Sequence, residues 1–127
     1  LATTLGCADR IRFVGMQSDT LPWYQAADGL LLPTLYDPFP NVILEAMACG
    51  LPVITSTTCG GAEFIQQGHN GYVCDALDIT ALRDAVMALP ACATDSSMAL
   101  AAREQVMAST PQRLSQQLVS LYQQILD

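Results

Sequence analysis

Residues 30–54, LLLPTLYDPFPNVILEAMACGLPVI, contain the pattern that decides the fold. The run Leu30–Leu32 is apolar without alternation, which is typical of a strand with both faces covered. The loop Pro33–Pro40 holds three prolines. The helix predicted after it, Asn41–Cys49, has an asparagine cap and is followed by a glycine. Since parallel strands need a crossover that is usually helical, this order predicts a parallel sheet.

The same alternation continues on both sides of this stretch. Apolar runs at Ile11–Gly15, Pro52–Thr55 and Tyr72–Cys74 predict three further strands. A helix is predicted from a cap at Asp19 to Ala27. We therefore expect an α/β fold with a doubly wound, Rossmann-like parallel sheet of four strands. Four strands are few for such a domain, so we expect the chain to be truncated at its N-terminus.

Only helices are predicted after the last strand. One follows a cap at Asp78, one covers about residues 95–108, and one begins at Thr110, with leucines on one face and glutamines on the other. The apolar stripe of this last helix is expected to pack on the domain or to reach toward a missing one. The whole chain, residues 1–127, is expected to form a single partial domain with a helical tail from about residue 94.

Composition and charge exclude several classes of protein. Of the 127 residues, 51% are apolar and 13% charged, which excludes intrinsic disorder. The net charge is −7 and the cations are five arginines, so no basic patch for nucleic acid is expected. No apolar run reaches the roughly 18 residues of a membrane span. Five cysteines with irregular spacing predict buried thiols in a reducing cytoplasm rather than a metal site or disulfides.

The loop Pro33–Pro40 lies where ligands bind in α/β sheets, beyond the carboxyl end of a strand. It leads into the backbone amides of Asn41, Val42 and Ile43. The unpaired amides and the dipole of a helix start favour anions, so we expect a phosphate site here.

Two carboxylates, Asp37 and Glu45, flank this helix start. Because carboxylates repel phosphates, their partners would be neutral hydroxyls, and a nucleotide sugar carries both kinds of group. The residues alone leave an alternative open. Aspartate before proline is common in turns, and the helix dipole stabilises an acidic residue in the first turn by about 0.3–1 kcal/mol.

Several motifs match one family. They are Arg12-Phe13-Val14-Gly15, Tyr24-Gln25-Ala26-Ala27-Asp28, residues 44–54, Gly60-Gly61-Ala62-Glu63 and Asn70-Gly71-Tyr72-Val73. With them, residues 10–89 resemble the C-terminal, donor-binding domain of retaining glycosyltransferases with the GT-B fold, of the family 4 or glycosyl transferases group 1 type. That family includes lipopolysaccharide-core and capsule sugar transferases. The run LEAMACGLPVI at residues 44–54 is the most specific part of the resemblance.

The resemblance implies roles for the residues of the site. Glu45 would contact the ribose of the nucleotide. Asp37 stands where the family has a glutamate that contacts hydroxyls of the transferred sugar, and its shorter side chain bears on which sugar is bound. These two are the candidate catalytic carboxylates. The other candidate binding residues, which would meet the base, the sugar and the phosphates, are Gly15, Met16, Phe39, Pro40, Asn41, Val42 and Ile43.

The resemblance also implies an activity. The parent protein would move a hexose from a nucleoside-diphosphate sugar, such as a UDP-sugar, to a glycan or lipid-linked acceptor, with retention and without a metal or other cofactor. An acceptor-binding N-terminal domain, and an arginine and a lysine that hold the diphosphate, would lie outside this chain. We therefore expect the chain alone to bind donor weakly and to be inactive, and peripheral membrane association to come through the missing half.

Two alternatives to a transferase stay open. One is a nucleotide-sugar epimerase or hydrolase on the same scaffold, and the other is a non-catalytic module that binds nucleotide sugars. The helix before the first buried strand also leaves a choice. Its aromatic residues Trp23 and Tyr24 are expected to be part of the core rather than a platform for stacking a base.

Overall fold

The computed structural model describes residues 1–90, 96–107 and 109–126. Its helices and strands, in chain order, are α1 Leu21–Ala26, β1 Leu30–Leu32, α2 Asn41–Ala48, β2 Val53–Ser56, β3 Gly71–Cys74, α3 Ile79–Met87, α4 Ser97–Met107 and α5 Pro111–Leu126. Two short 3-10 helices are added to these. Ala8–Arg10 precedes α1, and Gly60–Phe64 lies between β2 and β3.

The three strands form one parallel sheet in the order β1, β2, β3. Leu30 pairs with Val53, which pairs with Gly71 on its other side. The central strand β2 is buried along its whole length. Its side chains alternate between the two faces: Val53 packs in a cluster with α2 and α4, and Ile54 in a cluster with α3. Helices therefore cover both faces of the sheet, which confirms the predicted α/β class.

Helices α2 and α4 form the larger part of the core. α2 buries Ile43, Ala46 and Met47, and α4 contributes Ala102 and Val106 to the same cluster. Alanine on both helices keeps long side chains out of their contact, which permits close packing. Since α2 is also the helix that follows the loop at residues 33–40, its packing fixes the position of the candidate site.

A buried asparagine fastens the turn before β3. Asn70 is fully buried. Its Oδ1 accepts a hydrogen bond from the amide of Gln66 at 2.7 Å, and its Nδ2 donates to the carbonyl of Phe64 at 3.0 Å. The next residue, Gly71, lies so close to β2 that a Cβ would stand 2.0 Å from the carbonyl oxygen of Val53. The Asn70-Gly71 pair is therefore required by local hydrogen bonding and by strand packing.

The predicted strand at Ile11–Gly15 is wrong. These residues are exposed and pair with none of the three strands, and the side chain of Phe13 is 92% exposed. Apolar composition predicted a strand, but a strand forms only where a neighbour completes its backbone hydrogen bonds. The sheet of the described residues therefore has three strands rather than four.

The three predicted helix caps differ in outcome. Asp78 caps α3 as predicted, with its Oδ1 accepting a first-turn amide at 2.9 Å. The prediction for Asn41 is wrong, because Pro40 occupies the N-cap position of α2 and no side chain caps that helix. Asp19 acts one residue before the N-cap of α1, and its Oδ1 accepts from the amide of Leu21 at 3.1 Å.

The C-terminal helices lie close to their predicted positions. The helix predicted over 95–108 is α4, Ser97–Met107, whereas both predicted limits and the tail boundary near residue 94 lie outside the described residues. α5 begins at Pro111, directly after Thr110, as predicted. Its apolar stripe remains about half exposed or more within the described chain, and so is not covered by this domain; the stripe is Leu114, Leu118, Leu121 and Ile125. No described helix is long and apolar enough to cross a membrane.

Replacing Asn70 with alanine is expected to destabilise the protein by about 2 kcal/mol, because it removes two hydrogen bonds made by a fully buried side chain and leaves a cavity in its place. Urea unfolding followed by circular dichroism measures the loss. Asn41→Ala is the matched control, since Asn41 is exposed and caps nothing. Equal unfolding midpoints for the two variants would contradict the role of Asn70.

Candidate functional site

The start of α2 presents unpaired backbone amides. Its N-cap residue Pro40 has no amide proton, and the amide of Ile43 donates to the carbonyl of Pro40 at 3.1 Å. In the described chain, no acceptor receives a hydrogen bond from the amides of Asn41 or Val42. Both residues are exposed. Two free donors and the positive end of the helix dipole therefore point to an anion at this place.

The loop before α2 is shaped by Asp37. Its Oδ1 accepts from the amide of Phe39 at 3.1 Å, and its carbonyl accepts from the amide of Gly60 at 2.9 Å. The family resemblance implied that residues 39–43 contact the ligand. The amide of Phe39 has a partner within the loop, whereas the amides of Asn41 and Val42 are unpaired in the described chain.

Gly60 and Gly61 allow the next loop to pack against α2 and its preceding turn. A Cβ on Gly60 would stand 1.8 Å from the carbonyl oxygen of Pro38, and one on Gly61 would stand 2.4 Å from Cδ1 of Ile43. Neither distance is possible without movement of the backbone or the core. The two glycines of the sequence motif therefore allow their loop to lie directly against Pro38 in the loop before α2 and against Ile43 in the core.

A cavity of about 470 Å³ opens beside Asp37. Hydroxyl and carboxylate side chains dominate its polar lining, with Thr57, Thr58 and Glu63 next to Asp37, and no arginine or lysine lines it. The Thr58 hydroxyl donates to the carbonyl of Thr34 at 3.3 Å, which ties the lining to the loop. Such a surface suits a neutral ligand rich in hydroxyls rather than an anion.

Glu45 lies four residues after the start of α2, about 6 Å along the helix axis. Its side chain is exposed, and Oε2 accepts a hydrogen bond from the hydroxyl of Tyr24 at 2.9 Å. In the part of the chain that is described, nothing donates to Oε1. The pair lines a cleft of about 360 Å³ between α1 and α2; the polar side chains of its lining are Ser18, Asp19, Thr20, Tyr24, Glu45 and Cys49.

The environment of Tyr24 raises the pKa of its hydroxyl above the ordinary value. Burial is the largest cause, followed by the hydrogen bond to Glu45 and by the negative charge of that carboxylate. A hydrogen bond with the side chain of Thr20 acts in the opposite direction, and Cys49 adds a small further increase. Tyr24 therefore stays protonated and able to donate to Glu45.

Tyr24 was not predicted from the sequence to be a residue of the site. The helical pattern predicted that Trp23 and Tyr24 are both part of the core, but α1 has no buried residue and Trp23 is 47% exposed. The ring of Tyr24 packs on the core while its hydroxyl reaches the cleft. A partly buried tyrosine normally needs a hydrogen-bond partner, and that need is the signal that could have found the residue.

The structure places Gly15 and Met16 before the cleft rather than in it. Gly15 adopts a left-handed conformation with φ of 67°, and the side chain of Met16 is fully exposed. Neither lines the cleft, whereas the residues that follow, 18–20, do. Asp37 and Glu45 line two different cavities. In the sequence, Asp37 precedes the start of α2 and Glu45 follows it.

The chain is similar to known families and proteins. The family model described as Glycosyl transferases group 1 matches residues 1–92. The lipopolysaccharide core biosynthesis glycosyltransferase LpsE of Rhizobium meliloti is 41% identical over 61% of this chain and 23% of its own length. N-acetyl-alpha-D-glucosaminyl L-malate synthase of Bacillus anthracis is 36% identical over 98% of this chain and 32% of its own length.

Solved structures are similar as well. Sucrose-phosphate synthase from Thermosynechococcus elongatus has a TM-score of 0.81 and 32% identity, covering 98% of this chain and 32% of its own. HepE of Anabaena in complex with UDP-glucose has a TM-score of 0.60 and 27% identity, covering 94% of this chain and 35% of its own. This chain thus spans about a third or less of the length of these proteins.

Gly60→Ala is expected to lower the free energy of unfolding by about 1–3 kcal/mol, because the new methyl group cannot fit against the carbonyl of Pro38. Thermal unfolding measures the effect. Gly68→Asn is the control, since Gly68 has φ of 71° with open space around it and asparagine tolerates that conformation. A Gly60→Ala variant as stable as the control would contradict the packing role.

Proposed function

Since the chain belongs to the Glycosyl transferases group 1 family, we propose that it forms the donor-binding part of a glycosyltransferase and binds a nucleoside-diphosphate sugar. Its structural neighbours are GT-B glycosyltransferases. The observation that carries the proposal is the arrangement of α2, which begins with two unpaired amides and carries Glu45, with one carboxylate oxygen open, about one helical turn further along the helix. Related HepE binds UDP and UDP-glucose.

The diphosphate is assigned to the start of α2. The amides of Asn41 and Val42 and the helix dipole attract anions, whereas the acidic cleft and the cavity at Asp37 repel them. A helix start supplies at most about 2 kcal/mol, and a dissociation constant of about 0.1 mM needs roughly 5.5 kcal/mol. The chain alone is therefore expected to bind donor weakly.

The neutral parts of the donor are assigned to the two acidic surfaces. Glu45 accepts hydrogen bonds from the ribose hydroxyls in the cleft. Asp37, with one carboxylate oxygen bonded to the amide of Phe39, accepts from hydroxyls of the transferred sugar in the cavity beside it. The base is assigned to the loop after Gly15, which includes Met16 and leads into the cleft lining at residues 18–20.

The proposed reaction is transfer of a hexose to a glycan or lipid-linked acceptor, with retention and without a metal ion. As the bond to the sugar breaks, negative charge grows on the departing diphosphate, and the two amides hold its oxygens more strongly than in the ground state. None of the carboxylates of this chain is assigned as a nucleophile. Retention is proposed from the resemblance alone.

The acceptor is proposed to be bound outside this chain, by an N-terminal domain of the parent protein. Relatives such as LpsE are about four times longer than the segment they share with this chain. Their role in lipopolysaccharide core biosynthesis supports an acceptor from a cell-surface polysaccharide and contact with a membrane through that other domain. The chain alone would then be inactive, and the parent protein would work in the cytoplasm.

Glu45→Ala is expected to weaken binding of UDP-glucose by about 1.5–3 kcal/mol, or about tenfold to a hundredfold, because it removes a charged acceptor of ribose hydroxyls. A titration of the 127-residue chain followed by NMR measures the dissociation constant even in the millimolar range. Glu104→Ala, at an exposed position of α4, is the matched control. Equal affinities of the two variants would sink the assignment of the ribose to Glu45.

A further inference from the structure

The Tyr24–Glu45 hydrogen bond joins two helices through side chains that are 21 residues apart in the sequence. A glutamate on an exposed helix surface samples several rotamers, and holding one of them costs conformational entropy. A hydroxyl delivered from another helix restricts that choice before a ligand arrives. The orientation of Glu45 therefore depends on how firmly Tyr24 is held.

Tyr24 is held by contacts on several sides. Its ring packs against the core cluster that contains Ile43 and Met47. Its backbone amide donates to the carbonyl of Thr20 at 3.1 Å, and the first turn of its helix is secured by the bond from the Leu21 amide to the Asp19 carboxylate. The phenol hydroxyl is thus presented to the cleft from a ring with little freedom to move.

The cleft between α1 and α2 leaves one carboxylate oxygen of Glu45 open to a ligand. The proton of the Tyr24 hydroxyl is used by Oε2 of Glu45. Oε1 receives no hydrogen bond from a described residue, and an ionised carboxylate can only accept. Asp19 is the second carboxylate of the lining, and no arginine or lysine belongs to it. The open oxygen therefore calls for a ligand group that donates, which a hydroxyl does and a phosphate oxygen does not.

We propose that Tyr24 is a positioning residue that turns Glu45 toward the ribose hydroxyls of the donor and so makes the site select ribonucleotides over deoxyribonucleotides. This inference rests on the proposed binding of a nucleoside diphosphate. Removing the hydroxyl of Tyr24 leaves the ring in the core but releases Glu45. The variant then loses both affinity and part of the discrimination between the two kinds of sugar.

The first test needs no ligand. Ultraviolet titration of the unmodified chain minus that of Tyr24→Phe isolates the ionisation of Tyr24. Glu45→Gln is expected to lower the pKa of Tyr24, because it removes the nearby negative charge that opposes formation of the phenolate. Glu104→Gln is the matched control and is expected to leave the titration unchanged. If Glu45→Gln also leaves it unchanged, the pair does not exist in solution and the proposal fails.

The second test compares UDP with 2′-deoxy-UDP and 3′-deoxy-UDP by NMR titration. The unmodified chain is expected to prefer UDP by about tenfold over at least one deoxy analogue, since that analogue leaves a charged acceptor without its partner. Tyr24→Phe is expected to bind UDP about fivefold more weakly and to reduce the preference to about threefold or less. Tyr122→Phe, an exposed position on α5, is expected to change neither value.

The outcomes separate this proposal from the proposed function. If Glu45→Ala weakens UDP binding while Tyr24→Phe changes neither the affinity nor the preference, the positioning role is overturned and the nucleotide site stands. If Tyr24→Phe weakens all three nucleotides by the same factor, Tyr24 only supports the fold, and the positioning role is overturned again. If Glu45→Ala and Tyr24→Phe both leave UDP binding intact, the assignment of the ribose to Glu45 fails together with this inference, whereas the proposed function fails only if the unmodified chain binds no UDP.

Discussion

Helix α2 must fill the core and present the candidate site with the same eight residues. Ile43, Ala46 and Met47 are fully buried, so the helix cannot rotate or slide without opening a void in a closely packed interior. The free amides at its start and Glu45 on its exposed side are therefore held in place by the core. The stiffness of the site comes from apolar packing beneath it, whereas its chemistry comes from the few polar groups above.

The parallel sheet could be predicted because its strands leave a local mark in the sequence, but the expectation that both faces of Leu30–Leu32 are covered is wrong, since Leu31 is 48% exposed and only β2 is buried along its whole length. Leu30–Leu32 and Pro52–Thr55 are continuous apolar runs, each bounded by a residue that breaks regular structure. The same mark misled at Ile11–Gly15, where the residues are apolar but no described strand lies alongside. Pairing is a property of two segments, so composition within one segment cannot establish it.

The family resemblance, carried mainly by residues 44–54, is confirmed by the family match, but the surroundings of the site could not be predicted. The sequence pattern does not distinguish Trp23 from its neighbour Tyr24, yet the hydroxyl of Tyr24 on α1 donates a hydrogen bond to Glu45 on α2. The sequence alone does not explain why glycine stands at position 60, whereas the structure does, because the carbonyl of Pro38 leaves no space for a Cβ there. Such close approaches depend on how distant segments meet, and the local sequence does not record them.

The short acid at position 37 sets the shape of the loop that precedes α2. Its carboxylate closes a small ring with the amide of Phe39, two residues further on, which a side chain of aspartate length does well and a longer glutamate does less readily. Prolines on either side of Phe39 remove further backbone freedom. An incoming molecule thus meets a contour that is already formed, and little chain entropy is lost when it settles there. A glutamate at position 37 would extend further into the cavity, whereas the shorter aspartate keeps the loop in one conformation before a ligand binds.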